Sequence, residues 1–431
     1  MDGATRQTTF NAPKLHDWLY LLILGPLVFL LFALLAVSLA YGAVRFVRHL
    51  ELPNETCDLS SPPKVLLIQC LKGTDPFLLD ALQRLATQDY PNYSIRIIVD
   101  SPDDPAWEAV NEFLASGAAV PVEVRTLEHV LLTCSRKISS QLEVTKDIPE
   151  DVKYVMLADA DMNGPPDVLR RMVVPLELHP DILITTGNRW YNPLRPDLAE
   201  VIRYQWNSFC VTMMHRIGSM WGGCCVMRAS LWRDPKYRED LSHSFCEDQR
   251  LMDTAPQFGG TIYPVPGLLI TNRESCTLRQ VFNFIERQLM AVRIQSSQWN
   301  FVQLHFYGGA VVALLSLYGL FIPEMWGWIG GGLVLLVGVA VWRLPYIEQR
   351  IQRRLGPTAA PPQLPSFWRR YVPTVVLTGA MHGAATVSNI VMRVHEWRGV
   401  RYEVRKGPYI RVLNPETGET EIESSKVTVE A

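Results

Sequence analysis

Asp159-Ala160-Asp161 closes the apolar run Val155-Met156-Leu157-Ala158. Two carboxylates one residue apart at the end of a buried strand suit a divalent cation. In extended backbone, residues i and i+2 point the same way, so both carboxylates face one metal. Hard oxygen ligands select Mg²⁺ or Mn²⁺, which bridge to the phosphates of a nucleotide substrate. The tripeptide also occurs in turns and calcium loops, so its company decides. Asp100 ends the strand-like run Ile95-Arg96-Ile97-Ile98-Val99, and Glu247-Asp248 follow in a Cys-Glu-Asp-Gln stretch. Open α/β sheets bind ligands at the carboxyl ends of their strands, so acids at several strand ends predict one site.

The elements that must position these acids alternate along the chain. Val65-Leu66-Leu67-Ile68 reads as a short buried strand, and 76–88 has a helical period through Leu78, Leu79, Leu82 and Leu85. Ile95–Val99 is the next strand, Pro105–Ala115 the next helix and Val122–Arg125 a further strand, followed by 153–158. Such alternation predicts an α/β fold, a mostly parallel sheet with helices on both faces.

The chain has 431 residues, of which 48% are hydrophobic, and these are concentrated in blocks. The stretch Trp18–Val44 carries no charge and exceeds the roughly 20 residues a bilayer requires. A secretory signal has a shorter apolar core, roughly 7–15 residues, so this segment reads as an anchor. Residues 304–322 and 325–342 read as a hairpin of spans turning at Ile322-Pro323-Glu324, and 371–391 as a weaker fourth segment containing His382 and Asn389. Its small residues permit close helix packing.

Short basic loops mark the cytoplasmic side. Arg45, Arg48 and Lys64 follow the first span, and Arg350, Arg353, Arg354, Arg369 and Arg370 lie in the loop 343–370. The central region 60–300 is therefore expected in the cytoplasm. The tail is also basic (Arg393, Arg398, Arg401, Arg405, Lys406); either the fourth segment is re-entrant or the tail departs from the rule. The eight cysteines show no zinc or Cys-x-x-Cys spacing and read as reduced thiols. The sequons at Asn54 and Asn92 are then silent. A net charge of −2 argues against nucleic-acid binding.

Leu71-Lys-Gly-Thr-Asp75-Pro76, Asp89-Tyr90-Pro91-Asn-Tyr93 and Asp100-Ser-Pro-Asp103-Asp104-Pro105-Ala106 resemble ceramide glucosyltransferases and their bacterial relatives, within the family 2 glycosyltransferases. Lys137-Ile138, Gly222-Gly-Cys-Cys-Val-Met-Arg228, Glu247-Asp248 and the closing Trp397-Arg398-Gly399 with Tyr402 continue the likeness in family order. The resemblance implies a GT-A type nucleotide-sugar-binding domain, with one N-terminal and two to three C-terminal membrane helices. It divides the chain into a tail 1–16, an anchor 17–44, a catalytic domain 60–276, amphipathic interfacial helices 277–303 and a transmembrane hairpin 304–343. A basic loop 344–370, a membrane segment 371–391 and a tail 392–431 follow.

By the same resemblance, Asp100 contacts the uracil end of the donor. Asp159 and Asp161 form the metal motif, with Asp161 the direct ligand. Asp248 is the base of an inverting mechanism, with Glu247 beside it. The chemistry agrees: inversion needs a base that deprotonates the acceptor hydroxyl opposite the leaving diphosphate, and a dication neutralises charge on that diphosphate. Blander readings stand beside these. Asp100 can cap a turn before Pro102, and Asp104 the following helix. Glu247-Asp248 can be a solvated helix start and Lys137 a surface lysine rather than a diphosphate ligand. Gly222-Gly223 either admit close backbone approach to the acceptor or only make a turn.

One departure stands out. The family carries Gln/Arg-x-x-Arg-Trp before the late helices, whereas here Phe284-Ile-Glu-Arg287-Gln288-Leu289-Met-Ala-Val-Arg293 has no tryptophan after an arginine. Arg287, Gln288 or Arg293 can take over phosphate binding through hydrogen bonds. The segment 278–303 is amphipathic, with Phe282, Ile285, Leu289 and Val292 on one face, and is expected along the membrane surface. The combined expectation is a metal-dependent hexosyltransferase moving a sugar, foremost glucose from UDP-glucose, onto a lipid alcohol such as ceramide. A processive polysaccharide synthase and a non-catalytic scaffold of the same fold are the rivals. Oligomeric state, and Mg²⁺ against Mn²⁺, stay open.

Overall fold

The computed structural model describes residues 20–193, 197–356, 365–405 and 409–414. The expected tail 1–16, most of the proline-rich loop 356–366, Lys406 and the acidic end 415–431 lie outside the described residues. The first apolar run forms β1, Lys64–Leu71, with β2, Tyr93–Val99, β3, Val122–Thr126, and β4, Val152–Ala158. Buried residues run almost unbroken along β2 and β4, as strands covered on both faces require. β5, Ile182–Tyr191, β6, Cys224–Arg228, and β7, Thr261–Asn272, complete a seven-stranded sheet in the order β3-β2-β1-β4-β6-β5-β7. All neighbours pair in parallel except β6, which runs against both β4 and β5. The expected mostly parallel α/β class is the one observed.

Alternation along β1 sends Val65, Leu67 and Leu71 to one face and Leu66 and Ile68 to the other. Leu78, Leu82 and Leu85 of the helix Leu78–Leu85 cover the first face, and Ile138, Leu142 and Trp232 cover the second. Each such side chain contributes about 1.5–3 kcal/mol when fully buried. The registers Leu71↔Val99, Gln69↔Ala158 and Ala158↔Cys224 then bring the carboxyl ends of β1, β2 and β4 to one edge, together with the amino end of antiparallel β6. Gly222-Gly223 therefore lie beside the residues that follow β4, and the Asp159 amide donates to Gly223 O at 3.0 Å.

The helix Leu278–Gln295 starts with a capping box between Thr277 and Gln280. Ile285 and Leu289 are buried as expected, but Val281, Met290 and Ile294 join them while Phe282 and Val292 are only partly covered. The helix packs against the helices Leu198–Ile217 and Pro365–Val391 and against a C-terminal sheet, so its apolar face is used inside the unit. That sheet comprises β8, Val394–Trp397, β9, Val400–Arg405, and β10, Tyr409–Leu413, all antiparallel. Tyr402, Val404 and Ile410 pack on Phe245 and Met290, and the Arg136 amide donates to the Tyr402 hydroxyl at 3.1 Å.

The helix Pro365–Val391 is bonded along its length to the helices Leu198–Ile217 and Leu278–Gln295. Gln205 donates to Tyr371 O and Thr374 Oγ1 at 2.7 Å, Trp206 Nε1 to His382 Nδ1 at 3.1 Å and Asn389 to Glu286 O at 3.0 Å. Among the described residues, four helices are long and apolar enough to cross a membrane: Leu22–Leu50, Trp299–Gly319, Pro323–Leu355 and Arg369–Val391. The chain divides into two units, residues 42–301 with 344–431, and residues 1–41 with 302–343. The described part of the second has its own core of Val28, Phe32, Val312, Met325 and Ile329. Its helices meet closely because a Cβ on Gly25 would overlap the Trp328 ring and one on Gly332 the Phe32 ring.

Candidate active site

A single pocket at the strand-end edge gathers Asp100, Lys137, Asp159, Asp161, Glu247, Asp248, Arg287 and Gln288. Of the three candidates for phosphate binding, Arg287 and Gln288 line it, whereas Arg293 does not: it is buried and donates to Met392 O at 3.1 Å.

Strand β4 ends at Ala158, and Asp159–Asp161 form a turn in which the Met162 amide donates to Asp159 O at 3.0 Å. The two carboxylates thus meet through a turn rather than through the i, i+2 alternation expected of a strand. They converge on one cation position, which Arg189 Nη2 fills at 3.0 Å from Asp159 Oδ2 and 3.1 Å from Asp161 Oδ1. Arg189 comes from the otherwise buried strand β5 and lies 4.9 Å from the centre of the Trp221 ring. Asn272, at the end of β7, donates to Asp161 Oδ2 at 3.1 Å.

The helix Arg136–Val144 begins at Ser135, whose Oγ accepts from the Ile138 amide at 3.3 Å. Its first turn sends Lys137 inward, where Nζ lies 2.9 Å from both Asp159 Oδ1 and Glu247 Oε1. Lys137 is therefore not a surface lysine. Burial opposes its charge, but Asp159 and Glu247 outweigh that and hold its pKa well above the ordinary value. Burial likewise opposes the Asp159 carboxylate, and Lys137 and Arg189 overcome it, so its pKa is lowered. Burial prevails at Asp161 and Glu247, whose pKa values are raised.

Glu247 and Asp248 open the helix Glu247–Thr254, where acids suit the helix dipole. Their roles separate. Glu247 is fully buried and tied to Lys137. Asp248 is half-buried, accepts from the Gly222 amide at 3.2 Å and has no ion-pair partner among the described residues. Gly222 and Gly223 form a turn that makes room for acids. A Cβ on Gly222 would overlap Glu247 Oε1, and one on Gly223 would overlap Asp159 Oδ2 and the Trp221 ring.

Asp100 ends β2 and pairs with Lys72, with Arg136 Nε 3.5 Å away. Asp104 is the cap expected of it, accepting from the Ala106 amide at 2.9 Å and the Gly73 amide at 2.8 Å. Arg189, Trp221 and Asn272 were not singled out by sequence reasoning. The available signal was an arginine inside the buried run of β5. All eight cysteines lie among the described residues and are free thiols.

The pocket wall holds six acids (Asp75, Asp100, Asp159, Asp161, Glu247, Asp248) and six bases (Lys72, Arg136, Lys137, Arg189, Arg287, Arg398). It is formally neutral, so a bound diphosphate would bring uncompensated negative charge. A dication on hard carboxylate oxygens balances it, and Asp159 and Asp161 already share one cation position. The donor set fits Mg²⁺ or Mn²⁺.

The family model for glycosyl transferase family 21 matches residues 30–189. That interval holds Asp100, Lys137, Asp159, Asp161 and Arg189 and ends before Glu247. The match supports transferase activity. Among solved structures, the mannosyltransferase PcManGT from Pyrobaculum calidifontis, in complex with GDP-Man and Mn²⁺, is similar at a TM-score of 0.47 and 15% identity, over 84% of this chain and 99% of that one. A mycobacterial protein is similar at a TM-score of 0.35 and 12% identity, over 60% of this chain and 77% of that one.

Two outcomes follow from the packing and the charges. Gly223→Ala must displace Asp159 or Trp221, and overpacking of this kind costs about 1–3 kcal/mol; donor turnover is expected to fall at least tenfold in steady-state assays, and unchanged turnover contradicts the packing. Glu247 must be ionised to hold Lys137, and its pKa is raised, so activity declines as pH falls through a limb above the ordinary carboxylate range. In Lys137→Met, where Glu247 has no ammonium to hold, that limb is expected to vanish from the residual activity. A limb that persists in Lys137→Met separates Glu247 from the pH dependence.

Proposed function

We propose that this chain is an inverting, metal-dependent hexosyltransferase that moves a sugar, foremost glucose from UDP-glucose, onto a membrane lipid alcohol such as ceramide. The observation that carries the reading is one pocket with two distinct parts. One part is Asp248, half-buried and without a cation. The other is the cluster of Asp159, Asp161, Lys137, Arg189 and Arg287.

Asp248 takes the proton from the acceptor hydroxyl as that oxygen attacks the anomeric carbon. The Gly222 amide aims its carboxylate. Glu247 does not act on substrate in this account; it secures Lys137. Arg189 and Arg287 receive the diphosphate oxygens, where guanidinium groups form paired charge-assisted hydrogen bonds. Asp159 and Asp161 would hold the dication, which supplies charge neutralisation on the leaving diphosphate when bound. Asp100, with Lys72, recognises the nucleobase end.

A lipid acceptor accounts for four long apolar helices on a chain with a polar pocket: the tail stays in the bilayer while the hydroxyl reaches the site. We place the catalytic unit on the cytoplasmic side, following the basic loops. The C-terminal sheet packs within that same unit, so the tail shares its side. With 304–343 crossing as a hairpin, the helix Pro365–Val391 is then not a third crossing.

Wild-type protein in lipid nanodiscs, given Mn²⁺, a panel of nucleotide sugars and a mixed lipid extract, is expected to form a glycolipid. Asp248→Asn is expected to lose at least 100-fold in turnover, the range of general-base catalysis. Turnover retained by the variant removes Asp248 as the base, and no turnover of any donor by wild type removes the reading. For topology, cysteines introduced at exposed Asp103 and Glu396 are expected to label together with an impermeant thiol reagent in inverted vesicles only, above the native background. Labelling from opposite sides would restore the third crossing.

A further inference from the structure

Arg287 pairs with no carboxylate among the described residues. Its guanidinium lies instead 5.2 Å from the centre of the Trp397 ring. Burial, and then the like charge of Arg189, press its pKa below the ordinary arginine value. A cation in that position awaits an anion, and something must hold it there meanwhile.

Trp397 ends β8, far along the chain from Arg287. Its ring is wedged against Phe245, 5.5 Å between centroids, and its indole N–H is buried without an acceptor. A phenylalanine would leave no such orphan donor. The indole therefore earns its place by its ring face, which binds cations best of the aromatics.

The turn after Trp397 is built for the same place. Arg398 and Gly399 have φ of 49° and 75°, the pair of positive values that a two-residue hairpin of type I′ needs. Glycine adopts this freely; Arg398 is the one non-glycine residue with positive φ among those described. Strain of this kind persists where the surroundings over-determine it. Here Arg398 donates to Lys72 O and stands 4.0 Å from Asp75. The hairpin tip is thereby fastened to the loop leaving β1, at the Asp100 end of the pocket.

We propose that Trp397 is a positioning residue: the C-terminal hairpin completes the donor site by seating the Arg287 guanidinium that receives the diphosphate. The inference rests on the nucleotide-sugar reading above. Its test is UDP binding to full-length protein in nanodiscs, measured by calorimetry with Mn²⁺, for Trp397→Ala, Trp397→Phe, Arg287→Ala and the Trp397→Ala/Arg287→Ala double variant. Trp397→Ala is expected to weaken UDP binding about tenfold, and Trp397→Phe about threefold. In the Arg287→Ala background, Trp397→Ala is expected to add nothing. That non-additivity is a signature that general damage to the fold does not produce, and thermal midpoints measured alongside identify any unfolded variant. Should Trp397→Ala fail to fold, the Phe variant alone and combined with Arg287→Ala gives the same comparison. Unmoved binding in the Trp397 variants, or additive losses, overturn the proposal while leaving the donor reading intact. Absence of UDP binding by wild type overturns both.

Discussion

An ammonium between a buried and a half-buried carboxylate holds this site together. Lys137 Nζ stands 2.9 Å from Asp159, which follows β4, and 2.9 Å from Glu247, which opens the helix beyond β6. Glu247 is fully buried, and a buried carboxylate stripped of its partner costs about 3–5 kcal/mol. The contact ties the two halves of the sheet edge to one another. It also explains the glycines, because only residues without a Cβ let both acids lie against the start of β6. Asp248, next in sequence to Glu247, is then delivered to the pocket by a neighbour held in a buried ion pair.

Charge balance extends that constraint to the whole pocket. Six acids face six bases, and most are paired: Lys72 with Asp100, Lys137 with Asp159 and Glu247, Arg189 with Asp159 and Asp161. Two groups are exceptions among the described residues: Asp248 lacks a cation and Arg287 lacks an anion. In the reaction proposed above, that one spare group of each sign would separate proton transfer from leaving-group binding.

Much of this was legible in the chain. The strands β1, β2, β3 and β4 are short apolar runs ended by polar residues, and the acids at their ends follow from the rule that open α/β sheets bind at carboxyl edges. Asp100, Asp159, Asp161 and Asp248 therefore appear together as read. What was illegible depends on tertiary packing. The position of Asp161 comes from a turn, not from strand alternation. Arg189 looks in sequence like one arginine in an apolar run, and only the pairing of β5 beside β6 directs it at Asp159. Lys137 reads equally as exposed or functional until Glu247 is known to lie beside it. Trp397 is separated from Arg287 by three long helices, so no local pattern connects them. In the helix Leu278–Gln295, periodicity gave Ile285 and Leu289 but not Val281, Met290 and Ile294, because helices and the C-terminal sheet pack on more than one side of it.

The central claim is that these paired charges form a nucleoside diphosphate site, and the most direct measurement is comparative. Purified full-length protein in nanodiscs, titrated by calorimetry with UDP and with uridine in the presence and absence of Mn²⁺, isolates the contribution of the diphosphate. The account predicts that UDP binds, that Mn²⁺ strengthens it, and that uridine binds at least 100-fold more weakly. Equal binding of uridine and UDP, or binding of neither, would contradict it.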